Sequence, residues 1–373
     1  MQSAAAERVK VRLLRRGVLH GKFAAEIAPD TDLTDPPFVA GALARWRADE
    51  PLVLRGASRA GVRRARRDIA RGLALFEALR EGASFEALAA RRLARAPFRP
   101  AGVTIDLGDT REIEKLFVDA LSASGRAVAR DLYAKLSWIA HDERDTSLRV
   151  RFSFGAEALL DWQKETRRAG WSDAFARALF PECRVIDENL ALLALVERLV
   201  GRRVRLSERI IYNNAPGGGA TFHHDDEPRQ LGVVFTQLEG ATAWFALPKR
   251  RLAEHVAGVA RTAALRQRAG TPRKALRALD DTSDPLLGKL LNATPSFTRR
   301  LVEHGEFHVL RAGDSILLPS HGPDDVCWHA VFALGAQASL AHSYGVFPLR
   351  DAPLSATRAR GSARTSARSR DAR

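Results

Sequence analysis

Between Thr221 and Asp226 the chain reads Thr-Phe-His-His-Asp-Asp, a run of metal-ligand side chains directly after the turn cluster Ala215-Pro216-Gly217-Gly218-Gly219. In a β-strand, residues two apart share a face. Thr221, His223 and Asp225 would then point the same way, with an imidazole and a carboxylate converging on one ion. A third donor is available at His329, in Cys327-Trp328-His329-Ala330-Val331 at the start of a later apolar run. Two histidines and one carboxylate on one face of an octahedral ion leave three positions open. That donor set suits non-haem iron(II), where a chelating co-substrate and dioxygen fill the vacancies. His224 and Asp226 have the same spacing, and a one-residue slip would turn them inward instead. The pair His223/Asp225 is preferred because it sets polar Thr221, rather than Phe222, beside the metal. His321, His304, His308 and His342 compete for the third position, but none has the Trp-His strand entry. A polar turn with a structural histidine is the alternative reading of the same residues.

These donors need strands to aim them, and the hydrophobic period supplies strands in the second half of the chain. From about residue 203 the period is near 2: Val204, Leu206 and Ile210-Ile211-Tyr212, then Gly232 to Phe235 and Ala243 to Leu247. Residues 251 to 302 revert to a helical period and read as an insertion. Phe307 to Leu310, Ser315 to Leu318, His329 to Leu334 and Ser339 to Phe347 are strand-like again, with Gly313-Asp314 a turn. Short strands at this spacing indicate a barrel or sandwich. The expected class is α+β, a double-stranded β-helix of the cupin or jelly-roll kind with a large helical N-terminal region. Residues 36–202 read as mainly helical. Asp109 to Leu121 carries capping-box spacing and apolar residues at 113, 116, 117, 120 and 121, and Asp187 is expected to start another helix. Residues 1–35 form a mixed segment with one short strand expected around Val9 to Leu14. Residues 203–350 hold the barrel and 351–373 a disordered basic tail, where six arginines stand between residues 355 and 373.

The charge balance is 59 basic against 44 acidic residues, a net +15, and only eight of the basic residues are lysine. A cationic surface would attract RNA, a ribosome or an acidic protein; the arginine-rich stretch Arg59 to Arg71 has the spacing of a basic helical face. The competing explanation is compositional bias, since the excess runs along the whole chain. Cys183 and Cys327 show no ligand spacing and no disulfide framework, so a reducing, cytoplasmic setting is expected. No apolar run reaches the ~20 residues that span a bilayer, and no membrane association is expected. Oligomeric state is not legible.

The segment Pro216-Gly217-Gly218-Gly219-Ala220-Thr221-Phe222-His223-His224-Asp225, followed by Gln237-Leu238-Glu239-Gly240, resembles the JmjC/cupin-like 2-oxoglutarate oxygenases, most nearly the ribosomal-protein hydroxylases. Gly313-Asp314 through Trp328-His329 resembles the second half of that domain, and Pro51 to Gly56 its opening segment. The resemblance implies Fe(II) as cofactor and 2-oxoglutarate as co-substrate. It implies hydroxylation of a protein or peptide side chain, with succinate as by-product. It also points to Tyr212, Thr221 and Thr242 as co-substrate contacts. Thr242 departs from the pattern: members usually carry a basic residue there to hold the remote carboxylate, and a hydroxyl supplies no charge. Tyr212, Thr221, Arg209 and Arg151 are the candidate replacements, while Lys249 lies too far along the strand. Two other functions follow from the same features. One is a cupin-type iron oxygenase without 2-oxoglutarate; the other is a non-catalytic basic module that binds RNA or a ribosome.

Overall fold

The computed structural model describes residues 5–11, 21–27, 30–105, 112–140, 144–155, 166–225, 227–281 and 283–353. Asp109, Asp226 and the arginine-rich tail, each part of an expectation above, lie outside them. In chain order, strands β1 (Ala5–Val11) and β2 (Gly21–Ile27) pair as a hairpin. Helix α1 (Pro36–Arg47), strand β3 (Leu52–Leu54) and helices α2 (Arg59–Arg80) and α3 (Phe85–Leu93) follow. Next come strands β4 (Phe98–Thr104), β5 (Glu112–Leu121), β6 (Ala127–Trp138) and β7 (Leu148–Phe154), then helices α4 (Thr166–Leu179), α5 (Arg184–Asp187) and α6 (Leu190–Val200). Asp35, Ser84 and Asn189 start helices by accepting a backbone N–H from three residues on.

Two expectations for this region are corrected. Residues 112–121 form strand β5, not the second part of a helix. Their apolar positions fit both periods, but Leu116, Val118 and Ala120 alternate into the core at 0% exposure. Backbone pairing to β4 on one side and β6 on the other decides the outcome, which no local period reveals. The span 36–202 is accordingly mixed helix and strand rather than mainly helical. The helix expected from Asp187 starts three residues later, capped by Asn189, and the Asp187 carboxylate instead pairs with Arg209 at 2.8 Å.

The second half holds strands β8 (Arg202–Asn214), β9 (Gly219–His223), β10 (Gly232–Glu239) and β11 (Ala241–Pro248). Helices α7 (Lys249–Val259), α8 (Ala263–Ala269), α9 (Pro272–Ala278), α10 (Pro285–Ala293) and α11 (Pro295–Glu303) are inserted before strands β12 (Phe307–Arg311), β13 (Ser315–Pro319), β14 (Cys327–Leu334) and β15 (Ser339–Pro353). One sheet has the order β3-β13-β10-β15-β8-β7-β6-β5-β4 and the other β12-β11-β14-β9. Within them, β13-β10-β15-β8 faces β12-β11-β14-β9, the interleaved order of a double-stranded β-helix. The added strands β4 to β7 extend one sheet past β8.

Three apolar layers hold these sheets. Val233, Phe235, Ile316 and Leu318 meet Trp244, Ala246, Leu310 and Val331 between the facing sheets. Phe76, Phe85, Phe175 and Leu195 of the N-terminal helices cover the outer face of the longer sheet against Leu116, Phe152, Ile211 and Val234. The inserted helices cover the other sheet, with Leu252, Leu287 and Phe297 against Phe245, Trp328 and Phe332. A strand covered on both faces needs apolar residues at every position, which explains the unbroken run Gly-Val-Val-Phe in β10. Lys249, fully buried, ties the insertion down through Asp280 (2.5 Å) and Asp324 (2.8 Å).

Glu182 is a cost inside the layer under the N-terminal helices. Its side chain is buried with neither carboxylate oxygen hydrogen-bonded, and burial pushes its pKa up to about 7 from 4.5. The native state therefore keeps a proton that the unfolded chain releases near 4.5. The stability this provides is present below that value and is lost as pH rises through about 7. The gap corresponds to about 3 kcal/mol. Glu182→Gln, which keeps the shape and removes the charge, is expected to raise the urea midpoint relative to the parent at pH 8.5 and to match it near pH 4.5. An equal shift at both pH values would rule out this account.

Candidate metal centre

Strand β9 delivers His223 to the mouth of the barrel and β14 delivers His329 directly opposite, the two being paired residues in the ladder. Their ring centroids are 4.2 Å apart. The chain leaves β9 at His223, and Asp225, two residues on, turns its carboxylate between the rings. Asp225 Oδ2 lies 3.7 Å from His329 Nε2, and Oδ1 lies 4.0 Å from His223 Nε2. One donor atom from each of the three residues falls within 4.8 Å of the others. The His223 Nδ1–H donates to the Thr221 carbonyl at 2.8 Å, which turns Nε2 toward the centre.

The electrostatics suit a divalent ion. Burial pushes the pKa of His329 down to about 3, so the ring is a neutral donor. Desolvation would raise the Asp225 carboxyl, but His329, His223 and His224 outweigh it and hold the group below its ordinary value. One carboxylate and two imidazoles therefore converge on a single point. This donor set fits iron(II) and leaves the cavity side open for further ligands.

That side opens on a cavity. Phe235, Trp244, Leu318 and Val331 form apolar walls, and Tyr212, Asn214 and Ser343 supply polar atoms. The Trp244 ring stacks on His329 at 5.5 Å and fixes its orientation. Burial pushes Tyr212 up to about 12, so its hydroxyl remains a neutral hydrogen-bond donor.

The structure separates the other sequence candidates. The His224 ring lies 5.0 Å from Trp328, whose side chain packs in the layer under the inserted helices. His321 pairs with Asp49 at 2.7 Å and His304 meets His255 edge-on, while His342 faces the N-terminal helices. Tyr212 lines the cavity. Thr221 contributes its carbonyl to His223 but is not among the cavity-lining residues. Thr242 is fully buried and internally bonded: its hydroxyl donates to Gln237 (2.8 Å) and accepts from the Trp244 indole (3.0 Å), so it does not reach the cavity. Arg209 is buried on the opposite face of the sheet, held by Asp173 and Asp187. Arg151 is engaged by Glu208 and Glu227. Arg59, Arg63, Arg64, Arg66, Arg67 and Arg71 are all exposed along α2, on the helical side of the longer sheet and away from the metal residues. No helix among the described residues is long and apolar enough to cross a membrane.

Two supports of the centre were not visible in the sequence. The buried Asp145 carboxylate accepts from the N–H groups of Gly219 (3.1 Å) and Ser147 (2.9 Å). Ser147 Oγ in turn accepts from Ala215 N–H at 2.9 Å, so the β6–β7 connection clamps the glycine turn. On the edge strand β9, Asn292 of α10 accepts from the Phe222 N–H at 2.8 Å.

No protein-family model and no curated protein matches the chain. Among solved structures, it is similar to SnoN, a non-heme alpha-ketoglutarate-dependent epimerase from nogalamycin biosynthesis, at 14% identity over 84% of each chain and a TM-score of 0.34. YcfD, a ribosomal oxygenase from Escherichia coli, is 15% identical over 71% of this chain and 43% of its own, with a TM-score of 0.24. A prolyl hydroxylase from Trichoplax adhaerens is 9% identical over 85% of this chain and 96% of its own, with a TM-score of 0.30. Likenesses at these identities and TM-scores say nothing decisive about activity, and the fold assignment rests on the strand order.

Proposed function

We propose that the protein is an Fe(II)- and 2-oxoglutarate-dependent dioxygenase that hydroxylates a side chain of a protein or peptide. One observation carries the reading: His223, Asp225 and His329 meet at the mouth of a double-stranded β-helix, with their shared open side on an apolar-walled cavity. Bound iron with 2-oxoglutarate would supply the redox chemistry: dioxygen is consumed, 2-oxoglutarate yields succinate and carbon dioxide, and one oxygen atom enters the substrate as hydroxyl. The chain's own residues do the positioning. The two imidazoles and the carboxylate occupy one face of the ion and leave the other free. Trp244 and the Thr221 carbonyl fix the rings, and Phe235, Leu318 and Val331 exclude water from the open side.

Iron-loaded protein is expected to convert 2-oxoglutarate to succinate, slowly alone and faster with substrate peptide. Failure to consume 2-oxoglutarate with any peptide library would defeat the proposal. The position of Thr242 gives weight to a second reading, a cupin-type iron oxygenase that needs no 2-oxoglutarate. Oxygen uptake that persists without 2-oxoglutarate would select it.

A further inference from the structure

Thr242 supplies no cation to the barrel, and strand β7, outside the eight barrel strands, carries two arginines beside it. Strand β7 pairs with β8 so that Arg149 stands opposite Tyr212 and Arg151 opposite Ile210. Directly opposed residues share a face, so both arginines continue the inner surface that carries Tyr212 and Asn214. Arg149, Arg151, Tyr212 and Ser343 line a pocket that also reaches His223 and Asp225.

The two arginines differ in what they already hold. Arg151 is bonded to two carboxylates, Glu208 and Glu227. Arg149 is half-buried, its Nε–H donates to Ser137 Oγ at 3.1 Å, and no carboxylate stands within ion-pair distance among the described residues. Ser137 pins the guanidinium stem and leaves the terminal nitrogens for a ligand. Neighbouring polar groups are equally unengaged. The hydroxyls of Tyr212 and Ser343 have no protein hydrogen-bond partner among the described residues, and the Asn214 carbonyl oxygen is buried without one. A half-buried guanidinium beside unpaired polar groups is costly for the empty protein, and a planar fork of N–H groups matches a carboxylate.

We propose that Arg149, assisted by the Tyr212 hydroxyl, holds the remote carboxylate of 2-oxoglutarate while the 2-oxo acid end meets the metal. The inference rests on the oxygenase reading and adds the residue that selects a diacid over a monoacid. An arginine on an appended strand takes the task that a residue on β11 does not perform.

The test uses the full chain loaded with Mn(II), which blocks turnover, and calorimetric titration with 2-oxoglutarate and with 2-oxopentanoate. The second ligand has the same five-carbon chain but ends in a methyl group. The parent protein is expected to prefer 2-oxoglutarate by about 30-fold or more. Arg149→Gln should weaken 2-oxoglutarate by about that factor, leave 2-oxopentanoate unchanged and keep the Mn(II) stoichiometry. Arg149→Lys should recover part of the preference, and Tyr212→Phe should weaken 2-oxoglutarate by about 5-fold. An Arg149→Gln protein that still prefers the diacid as the parent does would overturn the anchor and leave the oxygenase reading standing. A metal-loaded parent that binds no 2-oxoglutarate would overturn both.

Discussion

Replacing His329 by alanine is expected to drop ferrous-ion binding from about one equivalent per chain to below about a tenth, and succinate formation by about 1,000-fold or more. The expectation follows from the shape of the centre. Three donor atoms within 4.8 Å of one another are, among the described residues, the donors that would hold the ion, and removing one would leave a bidentate site open to water. Asp225→Ala should be at least as severe, because it also removes the only negative charge among the three. His224→Ala is the discriminating control. Its ring lies against Trp328 on the far side of β14's inward face, so the variant should keep its iron. Circular dichroism of each variant would show that the barrel persists. Retention of iron by His329→Ala would remove β14 from the centre, and loss of iron by His224→Ala with retention by His223→Ala would mean that the wrong face of β9 has been assigned to the metal.

The barrel was readable because it obeys local rules. Glycine turns punctuate it, the period changes to 2 near residue 203, and the insertion restores 3.6 between residues that pair across the sheet. The convergence of His223 with Asp225 is likewise local, two residues apart on one side of an extended chain. His329 could be proposed from its strand entry, but its placement opposite His223 depends on the ladder between β9 and β14. What could not be read was long-range. Residues 112–121 satisfy a helical period, and only pairing with β4 and β6 makes them a strand. Without that extension of the sheet there is no β7 beside β8, and Arg149 has no reason to be near a site more than sixty residues away. Of the four replacements named for Thr242, the two arginines, Arg209 and Arg151, have their charges taken by Asp173, Asp187, Glu208 and Glu227. Partner choice among acids is set by packing, and sequence spacing is silent on it. Asp145 and Asn292 belong to the same class: each acts on a backbone N–H across the fold.

Gly219→Ala is expected to damage the centre without touching a ligand. The residue has φ +151°, and a Cβ there would lie 2.1 Å from the Val331 carbonyl oxygen and 2.9 Å from its carbon. Both are backbone atoms of β14, so no rotamer change relieves the overlap, and β9 must move away from β14. Gly219 pairs with Phe332 and His223 with His329 along the same ladder, so the displacement acts on the distance between the two imidazoles. Overlap and backbone strain together should cost about 3 kcal/mol or more of stability, and metal affinity should fall by about 10- to 100-fold. Gly335→Ala provides the comparison. It also has a positive φ, +83°, but nothing lies within 4 Å of its added Cβ, so it should cost only the strain of about 1 kcal/mol and leave metal binding intact. Urea denaturation and metal titration of the pair separate the two effects. Equal destabilisation with equal metal affinity would mean that the close approach of β9 to β14 does not hold the histidines. A larger loss for Gly219→Ala in both measurements would show that a glycine with no chemistry of its own sets the spacing on which the ligands depend.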